Sequence, residues 1–162
     1  DTFGTAFYKA EEAAGQRLPL QGAVLITVAD REKQFIVPVA KKFHALGFKI
    51  YATTGTANIL KNHGIPCDIA WKVHEQRPNI VDMIKNGQIH VIINTPAGKQ
   101  SQYDDSYIRK NAIKYRIPYM TTIAAAHAAA KGIEAMIKSG SSYSVKSLQE
   151  YHKEIADSPI EH

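Results

Sequence analysis

Short apolar runs alternate along this chain with longer segments in which apolar residues recur every three or four positions. Runs of four or five residues that are rich in Val and Ile are typical of strands covered on both faces. Each run is predicted to be a strand, and Pro118 places the last one at a sheet edge because proline cannot donate a ladder hydrogen bond. The five predicted strands cover residues 24–28, 48–52, 67–71, 90–94 and 117–120.

The segments that flank these runs are predicted to be helices. After the first strand, Asp30 is a candidate helix cap, Pro38 falls in or near the first turn, and Gly47 ends the helix. Its predicted apolar stripe contains Phe35, Val39, Phe43 and Leu46. The other predicted helices cover residues 3–15, 56–63, 79–86, 104–115 (with Ile108, Ala112 and Tyr115 inward), a segment capped by Thr121 or Thr122 (with Ala126, Ala130, Ile133 and Ile137 on one face), and 147–155.

Strands separated by helices predict βαβ units and therefore a parallel sheet with helices packed on it. The predicted fold class is α/β, a three-layer Rossmann-like sandwich around a central, mainly parallel five-stranded sheet. Residues 22–158 are predicted to form this domain, and residues 1–21 a helical tail or linker from an upstream domain. A chain that begins with Asp rather than Met is expected to be part of a longer polypeptide.

Composition places the chain among ordinary globular proteins. Its 162 residues are 44% apolar and 22% charged, and no apolar run approaches the roughly 20 residues needed to span a bilayer. The single cysteine, Cys67, excludes an internal disulfide and is predicted to be a small buried hydrophobe, so a cytoplasmic location is expected. The net charge of +5 is scattered and not interleaved with aromatic residues, which favours a solvated basic surface over a nucleic-acid interface.

Polar, small and cationic residues follow the predicted strands, at the edge of the sheet where α/β folds bind ligands. One such group is Thr53-Thr54-Gly55-Thr56. Its glycine lets a ligand approach the backbone, and its hydroxyls and the first helical N–H groups can donate to an anion. The same residues can also form an ordinary helix cap. They form neither a Walker A loop nor a Rossmann triple glycine.

Two lysines and an asparagine extend this group. Lys33 follows the first strand and Lys72 the third, where a lysine can act as a point charge on a phosphate, although single lysines are usually solvated. Asn94 can contact a base or sugar, or cap a turn. His74 and Glu75 fit a structural His-Glu-x-Arg network better than a metal site, since no other histidine recurs at ligand spacing.

Four motifs carry a resemblance to a known family, namely Thr53-Thr54-Gly55-Thr56, Lys-Val-His-Glu-Gln-Arg-Pro-Asn-Ile at 72–80, Ile92-Ile93-Asn94-Thr95 and Tyr119-Met120-Thr121-Thr122. The Lys-Val-His-Glu-x-Arg-Pro string is specific, whereas the Thr-Gly-Thr turn alone is not. Nearly the whole chain resembles the C-terminal regulatory domain of the carbamoyl phosphate synthetase large subunit, which has the methylglyoxal-synthase-like fold. Residues 1–7 resemble the junction that follows the second ATP-grasp half.

The resemblance implies an allosteric effector site, with no catalytic residue, metal or cofactor in this domain. The parent chain would be a ligase that uses ATP with Mg or Mn to make carbamoyl phosphate for pyrimidine and arginine biosynthesis. In bacterial members UMP inhibits, IMP activates, and ornithine acts at the boundary with the neighbouring domain. Implied partners are the rest of the large subunit and the glutaminase small subunit, with a homo-oligomer also compatible, and neither nucleic acid nor membrane.

Matched position by position, the resemblance assigns residues of this chain to the effector site. The phosphate-facing residues are Lys33, Thr53, Thr56 and Lys72, and Gly55 and Thr95 complete the effector-binding set. The walls around ribose and base are Thr27, Val73, Asn94, Asp104 and Ile108. The side toward ornithine contains Thr121, with Tyr119 nearby.

The chain departs from this pattern at several positions. Pro96-Ala97 follows Asn94-Thr95 where the bacterial pattern has Thr-Ser, which removes two hydroxyls near the ligand. Met120 replaces an acidic residue before Thr121. Trp71, which can stack on a ring or line the core, is also found in the form that senses N-acetylglutamate, although Lys72 and its neighbours favour the nucleotide type.

The alternative is an enzyme of the same fold, a methylglyoxal synthase or a relative of IMP cyclohydrolase. A synthase that acts on dihydroxyacetone phosphate needs a carboxylate base in a Gly-Gly-Asp loop, and an Asp and a His after the fourth strand. Glu75 is the only carboxylate in the corresponding loop here, and only Asp30 and Lys33 match the synthase's Asp-x-x-Lys. The sequence therefore predicts binding without turnover.

Overall fold

The computed structural model describes residues 3–99 and 102–140. Five strands form one sheet in the order β3-β2-β1-β4-β5, and every neighbouring pair is parallel. The predicted α/β fold, with a parallel five-stranded sheet and β5 at an edge, is confirmed. The helix predicted over residues 147–155 lies outside the described residues. The elements are α1 (Phe3–Ala13), β1 (Ala23–Thr27), a 3-10 turn (Asp30–Glu32), α2 (Lys33–Ala45), β2 (Lys49–Ala52), α3 (Thr54–Asn62), β3 (Asp68–Ile69), α4 (Ile80–Lys85), β4 (Val91–Asn94), α5 (Gln102–Lys114), β5 (Tyr119–Met120) and α6 (Ile123–Lys138).

Helices cover both faces of the sheet, because successive strand residues point into two different buried clusters. Val24 and Ile26 of β1 join the cluster formed with α1, α2, α3 and α6. Leu25 lies between them in sequence and joins the cluster formed with α4 and α5. This arrangement is the predicted three-layer sandwich. Within the described residues, no helix has the length and apolar character required to cross a membrane.

Three predicted core positions lie on the surface instead. Phe35 is 57% exposed, since it lies in the first turn of α2 and the buried face of that helix begins at Ile36. Tyr115 follows the last residue of α5, and Ile137 lies in the last turn of α6, so each extends past the part of its helix that covers the sheet. The predicted spacing of the buried residues was right, but the buried stripe of each of these helices was predicted to extend too far at one end.

Helix α2 starts two residues later than predicted, because Asp30 begins a 3-10 turn instead of capping the helix. The Asp30 carboxylate pairs with the amine of Lys33, and this cation holds the pKa of Asp30 below its usual value. Pro38 lies inside the helix, beyond its first turn, although the later start brings it closer to that turn. The loop after β1 is therefore longer than the sequence indicated.

The strands are shorter than predicted at several ends. Phe48 precedes β2 and packs edge-on against Phe43, with ring centroids 5.3 Å apart. The third strand contains only two residues, and Trp71 beyond it forms an isolated parallel bridge with Asn79. Trp71 is half-buried and belongs to neither hydrophobic cluster, so its core interpretation was wrong.

Helix α1 packs along α6 at a crossing where two glycines meet. A Cβ added to Gly132 would lie 2.9 Å from the carbonyl oxygen of Gly4, so the two backbones are in close contact. Tyr8 of α1 is 2% exposed, and its hydroxyl donates to the carbonyl of Leu18 at 3.1 Å. These contacts attach α1 to the sheet domain, and the predicted division at residue 21 remains a prediction.

Candidate anion-binding site

A cavity of about 440 Å³ lies at the edge of the sheet where the parallel strands end. We call it the carboxyl-edge cavity. Its walls are the loops that follow β1, β2, β3 and β4, together with the first turns of α5, because adjacent parallel strands bring their following loops to one edge. The lining residues are Thr27, Val28, Ala29, Asp30, Arg31, Lys33, Thr53, Thr54, Gly55, Thr56, Lys72, Glu75, Ile80, Asn94, Thr95, Ala97, Asp104, Asp105 and Ile108.

The predicted effector residues converge on this cavity with one exception. Val73 does not line it, although its neighbour Lys72 does. The two residues predicted on the ornithine side also lie outside the lining: Tyr119 contacts Asn94 from β5, and Thr121 is exposed beyond that strand. The effector residues that line the cavity are Thr27, Lys33, Thr53, Gly55, Thr56, Lys72, Asn94, Thr95, Asp104 and Ile108.

Buried threonines hold the loop after β1 against its neighbours. The Thr56 hydroxyl oxygen accepts a hydrogen bond from the N–H of Val28 at 3.4 Å. The Thr95 hydroxyl oxygen accepts one from the N–H of Ala29 at 2.9 Å. A hydroxyl that accepts such a bond keeps its own hydrogen, so both side chains can also donate to a ligand. These two hydrogen bonds join the loop after β1 to the start of α3 and to the loop after β4.

Helix α3 begins at the cavity without a side-chain cap. Thr53 occupies the capping position, but its hydroxyl donates to the hydroxyl oxygen of Thr27 at 3.3 Å instead of bonding to the helix. The residues of the first turn line the cavity, and no side chain caps their backbone N–H groups. Uncapped N–H groups at the start of a helix attract anions, so these groups are available to a ligand. The alternative interpretation of this segment, an ordinary helix cap by threonine, is therefore wrong for Thr53.

Two lysines supply positive charge at this helix end. A Cβ added to Gly55 would lie 2.5 Å from the Lys33 Nζ, so the amine rests directly on the glycine. The Lys33 side chain is 20% exposed. Lys72 lines the same cavity, and its backbone N–H donates to the Glu75 carboxylate at 2.9 Å. The glycine and the lysine amine together make a cationic surface over the start of α3.

The cavity also contains carboxyl groups, of which Asp104 was predicted at the site and Asp105 was not. Asp105 accepts a hydrogen bond from the side-chain amide of Asn94 at 3.1 Å. Asp104 pairs through Oδ2 with His74 Nδ1 at 3.2 Å, whereas its Oδ1 is buried with no hydrogen-bond partner among the described residues. The Asp104 Oδ1 atom is therefore an acceptor that the described residues leave for a ligand.

Asp105 and Arg31 line the cavity but were not predicted. Asp105 follows the predicted Asp104 directly and lies within one helical turn of Ile108, which is the signal that was available. Arg31 lies in the 3-10 turn, which was predicted to be the first turn of a helix. Because of that wrong prediction, Arg31 was not expected at the cavity.

Asn94 is fixed by two neighbours and can offer a ligand its oxygen. Its amide donates to Asp105 and to the hydroxyl oxygen of Tyr119, the latter at 2.7 Å. Burial raises the pKa of Tyr119, so this phenol stays protonated and can donate in turn. With both amide hydrogens engaged, the group that remains on Asn94 is the acceptor Oδ1.

The loop that carries Lys72 is anchored at its far end. Asn79 caps α4, and Asp82 accepts from the Asn79 N–H at 2.9 Å, which completes a capping box. Arg77 donates to Asp82 at 3.1 Å, and this guanidinium lowers the pKa of Asp82 to about 2. The predicted His-Glu-x-Arg network is thus wrong in its pairing, since Arg77 binds Asp82 and His74 binds Asp104.

Comparison with solved structures supports the fold. A methylglyoxal synthase from Elizabethkingia anophelis superposes with a TM-score of 0.52 at 17% identity, over 67% of this chain and 76% of that protein. Identity at this level shows a shared fold alone.

Comparison of sequences identifies the family. The model described as the MGS-like domain matches residues 35–121. The C-terminal section of the carbamoyl phosphate synthase large chain from Methanopyrus kandleri is 50% identical over 153 residues, which is 94% of this chain and 28% of that protein. The large chain of Methanosarcina acetivorans is 46% identical over 153 residues, which is 94% of this chain and 14% of that protein. This chain therefore spans a minor part of these relatives' length. It belongs to the MGS-like domain family, in the form found in carbamoyl phosphate synthase large chains.

Proposed function

We propose that the carboxyl-edge cavity binds a nucleoside monophosphate as an allosteric effector. The observation that carries this proposal is the uncapped start of α3, on which the Lys33 amine rests at Gly55. A phosphate there would receive hydrogen bonds from the first-turn N–H groups and charge from Lys33 and Lys72. The site therefore suits the phosphate end of a nucleotide.

The rest of the cavity suits a ribose and a base. The buried, unpartnered Oδ1 of Asp104 can accept from a sugar hydroxyl, and Asn94 offers a second acceptor. Ala97 is exposed in the cavity lining and can contact a ring, whereas Ile80 and Ile108 are buried behind the cavity surface. The volume of about 440 Å³ falls in the usual range of roughly 300–1,000 Å³ for small-molecule sites.

In the longer protein, this binding would bias carbamoyl phosphate synthesis. UMP would inhibit and IMP would activate, each by its differential affinity for two states of the parent enzyme, with couplings of about 1–3 kcal/mol. The catalytic work, with ATP and Mg or Mn, would belong to the rest of the large chain and to a glutaminase subunit, for pyrimidine and arginine synthesis. Ornithine would act near Thr121 and Tyr119, and the Tyr119–Asn94 hydrogen bond connects that side to the cavity.

A second candidate function is a lyase acting on dihydroxyacetone phosphate, as the shared fold and the carboxyl groups in the cavity allow. Proton abstraction beside a carbonyl needs a base whose pKa lies near the working pH. Asp30 does not qualify, because Lys33 holds its pKa below the usual value and its side chain is 93% exposed. Asp105 is bonded to Asn94, and Asp104 is paired with His74 through Oδ2 only, so the Oδ1 atom of Asp104 is the one candidate for a base among these two carboxylates. We favour effector binding because the uncapped start of α3 and the two lysines bind a phosphate without supplying a base, and the incubation with dihydroxyacetone phosphate described below tests Asp104.

Calorimetry with UMP, IMP and uridine tests the proposal. The phosphate interactions predict that UMP and IMP bind and that uridine, which has no phosphate, binds at least about tenfold more weakly. Equal affinity for uridine and UMP, or no binding of either nucleotide, would contradict the proposal. Incubation of the same protein with dihydroxyacetone phosphate should yield no methylglyoxal above background, and its formation would favour the lyase.

A Gly55→Ala substitution should weaken nucleotide binding without unfolding the protein. The new methyl group would displace the Lys33 amine, which is the far end of a flexible side chain and can move. Loss of about 1 kcal/mol from one charged contact predicts a roughly fivefold lower affinity for UMP in calorimetry. Asn58→Ala, at an exposed position of the same helix, is the control and should bind like the wild type. An unchanged affinity in Gly55→Ala would remove Lys33 from the phosphate site.

A further inference from the structure

A second cavity, of about 330 Å³, lies at the opposite edge of the sheet, where the strands begin. We call it the amino-edge cavity. It is formed by the connector after α1, the end of α4, the residue before β4 and the segment between α5 and β5. Its charged lining residues are Arg17, Lys85 and Arg116, with His90 beside them. The proposed effector function makes no use of this cavity.

The amino-edge cavity gathers positive charge, and the acids near its cations lie outside its lining: Glu12 is beside Arg17, and Asp82, whose pKa Lys85 helps to lower, precedes Lys85 in α4. No Asp or Glu lines it among the residues that the structure describes. Within the same described part of the chain, Lys85 and Arg116 form no ion pair, and Arg17 lies 3.9 Å from Glu12 with 79% of its side chain exposed. Gathered like charges repel one another, so a bound anion would relieve this repulsion. The carboxyl-edge cavity differs, since its cations are accompanied by acids.

His90 lines this cavity, and a backbone hydrogen bond fixes which ring nitrogen can donate. Its Nδ1 accepts a hydrogen bond from the N–H of Ala23 at 3.0 Å, so the neutral ring carries its hydrogen on Nε2. The ring lies against Gly22, where an added Cβ would lie 2.5 Å from Nδ1. The glycine and the backbone hydrogen bond together fix the ring, and its remaining N–H can donate to a ligand.

Arg116 occupies a position that the other helices of the described chain give to glycine. It follows α5 with a φ of 54°, and the next residue closes the helix by donating to Ala112 at 2.8 Å. Glycine adopts this left-handed conformation without strain, whereas arginine does not. The strained residue places a guanidinium at the cavity, which points to a role for the side chain. The other five helices are followed by Gly15, Gly47, Gly64, Gly87 and Gly140, all with positive φ.

We propose that the amino-edge cavity binds a small organic anion with an apolar or aromatic body. Its carboxylate or phosphate would be bound by Arg116 and the neighbouring cations, with the His90 Nε2–H donating. Its body would rest against Tyr115, which is 40% exposed, and against the partly exposed Pro19, while Ile84 and Ile89 behind them are buried. The volume of about 330 Å³ suits a ligand of that size.

Titration of the ¹⁵N-labelled chain with benzoate and with phenyl phosphate, followed by NMR, tests this proposal and distinguishes the two anionic groups. Saturable shifts are expected for the amides of Lys85 and Arg116, independently of those at Gly55 and Thr56 in the carboxyl-edge cavity. Benzyl alcohol, which is neutral, should bind at least about tenfold more weakly. Shifts confined to the carboxyl-edge cavity, or equal binding of benzyl alcohol, would overturn the proposal.

The Arg116→Gly variant distinguishes the contribution of the arginine side chain to binding from its effect on the stability of the fold. Glycine relieves the left-handed strain, so the melting temperature should be unchanged or higher, while the affinity for the tighter of the two anions should fall roughly tenfold or more. Lys110→Ala, on an exposed part of α5 outside the cavity, should bind that anion like the wild type. Undiminished binding by Arg116→Gly would overturn the proposal. UMP affinity should not change in either variant, so failure of this site is distinguishable from failure of the effector site.

Discussion

Lys72→Ala is expected to lower the affinity for UMP by about 10–100-fold, as a charged contact worth roughly 1.4–2.7 kcal/mol is lost. Lys72 lines the carboxyl-edge cavity, where the proposed phosphate site has the start of α3 and Lys33 as its other donors. The melting temperature should stay close to that of the wild type. The reason is that the backbone N–H of Lys72, and not its amine, makes the hydrogen bond to Glu75 that the substitution retains.

Calorimetry of the wild type, Lys72→Ala and Lys61→Ala checks this expectation. Lys61 is exposed in the last turn of α3 and outside the cavity, so its removal changes the net charge equally without touching the proposed site. Similar losses of affinity in both variants would mean that overall charge, and not a phosphate contact, attracts the nucleotide. Wild-type affinity in Lys72→Ala would exclude Lys72 from the site.

Gly132→Val is expected to destabilise the domain by about 2–3 kcal/mol, because a side chain at this crossing has nowhere to go. An added Cβ would lie 2.9 Å from the carbonyl oxygen of Gly4 and 3.3 Å from the Cβ of Tyr8. The first contact is with backbone, so α1 must move away from α6 as a unit. That movement would expose Tyr8, which is buried in the hydrophobic cluster.

Chemical denaturation of Gly132→Val and of the control Ala124→Val measures this effect. Ala124 is exposed on the same helix, so its substitution reports the cost of a β-branched residue alone, which is below about 1 kcal/mol. If the two variants lost equal stability, the close contact between α1 and α6 would contribute nothing. A large loss in Gly132→Val alone would show that α1 folds as part of the sheet domain.

The order and type of the elements were predictable from local pattern. Valine- and isoleucine-rich runs such as those in β1 and β4 are apolar on both faces, and only a buried parallel strand accommodates that. Glycines such as Gly47 and Gly64 marked helix ends correctly, since a left-handed residue is needed there. The end after α5 gave no such signal, because Arg116 adopts the conformation that glycine usually takes.

Errors occurred where a residue had two possible partners. Asp30 was predicted to cap a helix, but it pairs with Lys33 and begins a 3-10 turn. Thr53 occupies a capping position, yet its hydroxyl bonds to Thr27 from another strand. Asp30 has two local alternatives, the helix N–H groups and the Lys33 amine, and the sequence does not rank them. Thr53 has a local and a distant alternative, so its choice depends on where the neighbouring strand lies.

By itself, the sequence determined that this chain forms a parallel α/β sandwich and that threonines, a glycine and two lysines follow its strands. The fold class could be predicted because the formation of strands and turns depends mainly on residues that are close together in the chain. Only the tertiary structure decided that α3 starts uncapped, that α5 brings Asp105 to the same cavity beside Asp104, and that a second cationic cavity forms at the other edge. Those features join residues from distant segments, and their proximity exists only once the sheet has set the distances between its loops.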